Sequence, residues 1–228
     1  MKSKGVKNAL ICRTDKIYLL SNFVFLLIQN TILSYPLWEK IDDKVNKLEA
    51  NYLRNTDFEF DKLIEENKNE TVVAHNDIWA NNLLFNKNDD GTVGNEPTII
   101  DWQDFTEGAI TLDLSSILLN CVESDLRHHI EQKYLPEYYE RLKAACEDNK
   151  VKFDMTFEKF QRNYDCSFLN QTMYSMMDLG LLFNGNNIPR ESGNEYWDKK
   201  KYKLGLNIYA FLCDSIEKAQ RINSKWLD

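Results

Sequence analysis

Apolar residues recur at helical spacing along most of the chain, with charged and polar residues between them. This repeat predicts a mostly helical protein in which each helix turns one face into a core. Residues 17–28 form a further apolar segment, but Ser21 and Asn22 interrupt it and it is too short to span a membrane, so we expect a buried helix. The repeats are Trp38, Ile41, Val45, Leu48 and Tyr52; Leu126, Ile130, Tyr134, Tyr138 and Leu142; Phe157, Phe160, Tyr164 and Phe168; and Leu204, Ile208, Phe211, Ser215 and Ala219.

Three short apolar runs lack the helical repeat, and we interpret them as strands. The last two runs flank residues 86–97, a stretch whose many Asn, Asp and Gly residues favour a turn. We therefore predict a β-hairpin that folds about Gly91 and places Asn82 opposite Asp101. The runs are residues 71–74, 83–85 and 98–100.

The predicted fold is thus mainly α with a small β-hairpin, an α+β protein. Residues 184–194 carry Gly, Pro and several Asn residues, and we expect them to form an exposed loop. We divide the chain into an N-terminal basic and apolar segment, residues 1–35, and a body, residues 36–228.

Composition narrows the possible partners and the compartment. The 28 basic and 36 acidic residues give a net charge of −8, which argues against nucleic acid as a partner. The five cysteines are odd in number and form no Cys-x-x-Cys pair, so neither a disulfide framework nor a structural zinc site is indicated. We expect a cytoplasmic protein that does not use a membrane as its partner.

Three side chains have the spacing used for phosphoryl transfer. That reaction needs a carboxylate to orient the acceptor hydroxyl and oxygen ligands to hold Mg²⁺ on the phosphates. Asp77 precedes Asn82 by five positions, as the catalytic Asp precedes the metal-binding Asn in protein kinases, and Asp101 follows on a later strand end. Asp77 and Asn82 taken alone are also common turn and cap residues. The set of three favours a site.

Two longer motifs contain these residues: His75-Asn-Asp-Ile-Trp-Ala-Asn-Asn82, the catalytic loop, and Ile99-Ile-Asp-Trp-Gln103, the metal-binding strand end. With Asp113-Leu114 and Tyr138-Tyr139-Glu140, they make the chain resemble the CHK kinase-like, or ecdysteroid kinase-like, family. That family lies within the aminoglycoside phosphotransferase and choline kinase superfamily. The resemblance covers residues 72–177 and implies the C-terminal lobe of a protein kinase-like fold.

The resemblance implies that Asp77 is the catalytic residue and that Asn82 and Asp101 bind Mg²⁺. It implies that His75 braces the loop and that Asp113 holds it through backbone hydrogen bonds. ATP would be the phosphoryl donor, and the acceptor would be a small-molecule alcohol: a sterol, an ecdysteroid-like or choline-like alcohol, or a glycoside.

The sequence departs from the family at two places. Asn76 stands where the family has Gly, at a position that we expect to need a positive φ, which Asn tolerates. Residues 1–74 contain one glycine, Gly5, and so lack a glycine-rich phosphate loop. We therefore expect the N-terminal lobe to be missing, because the chain is truncated, its gene model is incomplete or it is a degenerate paralogue.

Two other functions stay open at this point. The missing phosphate loop favours a catalytically inactive binding or regulatory module. A metal-dependent phosphohydrolase could use His75, Asp77 and Asp101, although such sites need several clustered ligands and the chain has three histidines in all. The sequence leaves the oligomeric state open.

Overall fold

The computed structural model describes residues 43–48, 71–184 and 195–227. The apolar segment at 17–28, the N-terminal division at residue 35 and all but the first residue of the expected loop at 184–194 lie outside these ranges. The prediction that the N-terminal lobe is missing also concerns residues that lie largely outside these ranges. The chain forms two compact units, one of Glu59–Gln171 and one of Met1–Phe58 with Thr172–Asp228.

The first unit holds all the strands that the structure describes and the two motifs. Its chain order alternates short strands and turns before the helices begin, so the loops that carry polar residues are fixed between strand ends. The elements are β1 (Thr71–Ala74), β2 (Leu83–Lys87), β3 (Val93–Ile99), β4 (Thr106–Ala109), α1 (Leu112–Cys121), α2 (Ser124–Asp148) and the first part of α3 (Phe157–Asn184).

The four strands form two antiparallel pairs, β1 with β4 and β2 with β3. The predicted strand at 71–74 and the predicted hairpin are confirmed, and the hairpin turns at Gly91, which has φ 85°. Strand β4 was not predicted. Its sequence, Thr-Glu-Gly-Ala, carries little β propensity, and its pairing with β1 is a long-range contact that local pattern does not reveal.

The register of the hairpin differs by one residue from the prediction. Leu83 pairs with Ile99, and Ile100 donates its backbone N–H to the carbonyl oxygen of Asn82 at 3.1 Å, so Asn82 faces Ile100 rather than Asp101. An irregularity between Phe85 and Lys87 shifts the pairing along the hairpin. Asn82 itself ends a 3₁₀ turn, Ala80–Asn82, before the strand begins. Asp101 leaves the strand in a left-handed conformation.

Aromatic packing fills the core of the first unit. The predicted face of α3 is confirmed, since Phe160, Tyr164 and Phe168 are buried. The predicted face of α2 is wrong: Leu126 is 55% exposed, and Tyr134 and Tyr138 are also exposed. The helix buries Arg127, Leu135 and Tyr139 instead.

Two contacts explain this rotation of α2. The guanidinium of Arg127 lies 5.5 Å from the ring centre of Phe168, which makes a buried cation compatible with an aromatic core. Tyr139 packs its ring 5.5 Å from that of Phe160 and donates its hydroxyl proton to the carbonyl oxygen of Met155 at 2.7 Å. The apolar pattern missed this face because it counts Arg as a surface residue.

The second unit contains the rest of α3 and α4 (Glu195–Ile222), followed by the 3₁₀ turn Ser224–Leu227. The predicted face of α4 is confirmed at Ile208, Phe211, Ser215 and Ala219, which are buried. Residues 43–48 are helical, as the first repeat predicts. Within the described ranges, no helix is long and apolar enough to cross a membrane.

Candidate active site

The loop between β1 and β2, residues 75–82, carries the first motif, and side chains rather than other backbone groups hold its first turn. The carboxylate of Asp113, in the first turn of α1, accepts the backbone N–H of His75 at 2.7 Å and that of Asn76 at 3.0 Å. Asn76 has φ 67°, which confirms the expected positive φ. Asp113 therefore holds the loop, as the family resemblance implies, by satisfying two adjacent donors.

His75 connects this loop to the end of β3. Its ring is 1% exposed, and Nε2 donates to the carbonyl oxygen of Ile100 at 2.8 Å. Nδ1 accepts the backbone N–H of Asp77 at 3.3 Å. A carbonyl can only accept and an N–H can only donate, so the two partners assign one neutral tautomer, with the proton on Nε2. Both nitrogens of His75 are thus occupied, and the ring braces the site instead of acting as its base.

Asp77 is half-buried, and the pKa of its carboxyl group is raised. Burial is the largest cause, because it disfavours the charged form. The negative charge of Asp104 raises the pKa further, and that of Asp101 raises it by less; the positive charge of a protonated His75 and a hydrogen bond from Asn82 lower it. Two carboxylates that follow β3 therefore act on the carboxylate of the loop.

Asn82 is 6% exposed, although it lies in a polar loop. Its Nδ2 donates to the backbone carbonyl of Asp77 at 2.8 Å, and its amide lowers the pKa of the Asp77 carboxyl group. Its Oδ1 accepts no hydrogen bond from the part of the chain that the structure describes. A buried amide oxygen without a donor is uncommon in proteins, and it leaves one hard oxygen available to a ligand.

Asp101 follows β3 with φ 65° and ψ 54° and is exposed. This conformation is unusual for a residue with a side chain, and it turns the chain into the 3₁₀ helix Trp102–Asp104. Trp102 supports the turn by donating Nε1–H to the carbonyl oxygen of Ile99 at 3.1 Å, with its ring 4.7 Å from that of His75.

The three predicted site residues are not all in direct contact with one another. Asp77 and Asn82 are in direct contact, and Asp101 lies within electrostatic range of Asp77. Among the residues described, no group of three or more His, Cys, Asp or Glu side chains is arranged to hold a metal ion by itself. His128 and His129 are exposed on α2, as a solvated face predicts.

A family model described as "Uncharacterized oxidoreductase dhs-27", DUF1679, matches residues 24–210. The chain belongs to this family. Two DUF1679-related proteins of Caenorhabditis elegans carry different names. "Uncharacterized oxidoreductase dhs-27" is 30% identical over 105 residues, which is 45% of this chain and 13% of that protein. "Uncharacterized kinase-like protein D1044.1" is 26% identical over 155 residues, 65% of this chain and 40% of that protein.

The DUF1679 chain thus spans less than half the length of these relatives. No solved structure matches it significantly. The second relative supports a kinase-like relationship in general terms and does not name the CHK branch.

Sequence reasoning missed one acidic residue of this DUF1679 site. Asp104 raises the pKa of Asp77 more than Asp101 does. The signal was present as a second carboxylate three positions after Asp101. We did not count Asp104 among the candidate site residues because the family motif ends at Gln103.

Proposed function

We propose that this chain carries the catalytic residues of an ATP-dependent phosphotransferase of the CHK kinase-like type, which acts on the hydroxyl group of a small molecule. Asp77 is the catalytic residue in this proposal, and Asn82 and Asp101 bind Mg²⁺. The kinase-like name of one relative supports the general class. The residue roles, the cofactors and the acceptor belong to the proposal alone.

The observation that carries the proposal is the meeting of the loop and the strand end. Asp77 contacts Asn82 directly through a hydrogen bond. The charge of Asp101, at the end of the hairpin, raises the pKa of the Asp77 carboxyl group. His75 ties these two segments together through Ile100. Phosphoryl transfer depends on positioning and on charge stabilisation, and this arrangement supplies a held carboxylate beside oxygen ligands.

The donor set fits Mg²⁺ that arrives with a nucleotide. Mg²⁺ is usually held by one or two protein oxygens together with phosphates and water, so a site with three or more acidic ligands is not required. The Oδ1 of Asn82, which accepts no hydrogen bond from any residue in the described ranges, and the exposed carboxylate of Asp101 are oxygens of the kind that Mg²⁺ prefers. The bound ion would neutralise phosphate charge and orient the transferred group.

The protein's own part in the reaction falls to Asp77. Its half-buried carboxylate would accept a hydrogen bond from the acceptor hydroxyl, orient the oxygen towards the phosphate and take up the proton. His75 cannot take that role without breaking its bond to Ile100 or to the N–H of Asp77.

The acceptor class stays as broad as the resemblance implies: a sterol, an ecdysteroid-like or choline-like alcohol, or a glycoside. Trp79 and Trp102 are nearly half exposed and follow Asp77 and Asp101 closely in sequence. Indole faces bind steroid rings, ammonium groups and sugars alike, so they support an organic acceptor without choosing among these.

The oxidoreductase name of the other relative does not carry over to this site. The matched residues are 13% of that protein, and its name can refer to the remainder. The eight glycines of this chain nowhere form the G-x-G-x-x-G pattern that holds a dinucleotide. A catalytically inactive nucleotide-binding or regulatory module is the alternative, since the loop and strand end could bind without transferring phosphate.

Transfer of the γ-phosphate from labelled ATP to a panel of sterol, choline-like and glycoside alcohols tests the proposal. We expect Mg²⁺-dependent transfer by the purified chain, and a loss of at least about a hundredfold in Asp77→Ala and Asp101→Asn. Asp89→Asn, in the exposed hairpin turn, is the matched control and should retain activity. Unchanged transfer in both site variants would overturn the proposal, and binding of MgATP without any transfer would favour the inactive module.

A further inference from the structure

One face of α1 holds the catalytic loop at several points. Asp113 accepts the N–H groups of His75 and Asn76, just before Asp77. Ser116, one turn later, donates its Oγ proton to the carbonyl oxygen of Ile78 at 3.0 Å, just after Asp77. The helix therefore fixes the backbone on both sides of the proposed catalytic residue.

Ser116 is well placed for such a contact. It is 4% exposed, as is Ile78, so the carbonyl that it serves has little access to water. Asn120 donates Nδ2–H to Ser116 Oγ at 3.4 Å, one turn further along α1. This donor occupies a lone pair of the hydroxyl and leaves its proton for the carbonyl of Ile78.

The neighbouring serine shows what a structural serine does in this helix. Ser115 is fully buried and donates its Oγ proton to the carbonyl of Leu112, inside α1. Serines in helix interiors commonly bond the preceding turn in this way. Ser116 differs from this pattern, because its hydroxyl donates to a carbonyl outside the helix, 38 residues earlier in the chain.

We propose that Ser116, supported by Asn120, is a positioning residue for Asp77. The consequence for catalysis rests on the proposed function. Ser116 touches neither substrate nor metal; it anchors the carbonyl of Ile78 and so restricts rotation of the Ile78–Trp79 peptide, the second peptide after Asp77. Small displacements of a catalytic group lower the rate strongly, whereas they leave binding by other residues largely intact.

The test compares Ser116→Ala with Ser115→Ala in the purified chain. Both variants remove one buried hydroxyl from the same helix, so any general loss of stability is common to both. The first readout is amide hydrogen exchange without nucleotide. We expect Ser116→Ala to speed exchange in a peptide covering residues 75–82 by about tenfold, and Ser115→Ala to leave that peptide unchanged.

The second readout is steady-state phosphoryl transfer to whichever alcohol the chain accepts. We expect Ser116→Ala to lower kcat by about tenfold with KM for MgATP unchanged, Asn120→Ala to lower kcat by less, and Ser115→Ala to change neither constant. Equal kcat in the two serine variants would overturn the catalytic part of the inference. Equal loop exchange in both would overturn the anchoring itself. Absence of transfer by the wild-type chain counts against the proposed function, and the exchange comparison then decides the anchoring on its own.

Discussion

His75 donates its Nε2 proton to the carbonyl oxygen of Ile100 at 2.8 Å. This bond joins the loop that carries Asp77 to the strand end that precedes Asp101. Together with the bond from the Ile100 N–H to the carbonyl oxygen of Asn82, the buried imidazole holds the two motifs next to each other.

Replacing that imidazole tests its bracing role. His75→Phe keeps an aromatic ring but leaves the Asp77 N–H and the Ile100 carbonyl without their partner. We expect a loss of about 2–4 kcal/mol in the free energy of unfolding, measured by chemical denaturation. His129→Phe, on the exposed face of α2, should change it by less than about 0.5 kcal/mol. Equal losses in the two variants would contradict the bracing role.

Asp113→Asn tests the anchor at the start of the loop. The amide keeps one acceptor oxygen and turns an NH₂ group towards the second backbone N–H, so one charge-assisted bond is lost. We expect destabilisation of about 2 kcal/mol, compared by chemical denaturation with Asp89→Asn in the exposed turn. An unchanged midpoint in Asp113→Asn would argue against the anchor.

Asn76 provides a test of backbone strain. Its φ of 67° favours glycine, then Asn, over other residues. Asn76→Gly should leave stability unchanged or raise it slightly, and Asn76→Ala should cost about 1 kcal/mol. Asn81→Ala, at an exposed position in the same loop, is the control. Thermal unfolding measures all three, and a more stable Asn76→Ala would rule out the strain.

The raised pKa of Asp77 gives a prediction for the pH dependence of stability. Burial, then Asp104 and Asp101, raise this pKa in the folded protein. The folded chain therefore binds the proton more tightly than the unfolded chain, so stability falls as the pH rises through the folded pKa. The ionised group is destabilising at pH 7. Asp77→Asn should raise Tm at pH 7, and its advantage over the wild type should shrink as the pH approaches 4. A lower Tm at pH 7, or an advantage that grows on acidification, would contradict this reading.

Local patterns predicted much of this fold. The β-branched run at 71–74, the Asn- and Gly-rich turn, and the aromatic face of α3 each appear where the sequence places them. The buried face of α2 was predicted wrongly, because a buried Arg127 breaks the apolar repeat. Strand β4 was not predicted at all, because it is stabilised by a long-range pairing with β1.

The spacing of Asp77, Asn82 and Asp101 singles them out as candidates, and their roles stay a prediction. Their geometry did not follow from the sequence, because the hairpin has a register irregularity between Phe85 and Lys87 and Asp101 adopts a left-handed conformation. Asp104 lies outside the motif that ends at Gln103, and no sequence pattern marks Ser116. Their roles arise from tertiary contacts with the loop.

Thermal unfolding of the purified chain with MgATP tests the central claim most directly, because it needs no acceptor. At ten times Kd we expect MgATP to raise Tm by about 3–6 °C, and neither ATP with a chelator nor Mg²⁺ alone to do so. Asp101→Asn should lose the shift, and Asp89→Asn should keep it. An equal shift in the presence of a chelator, or in Asp101→Asn, would contradict the claim that these residues form a Mg²⁺-dependent nucleotide site.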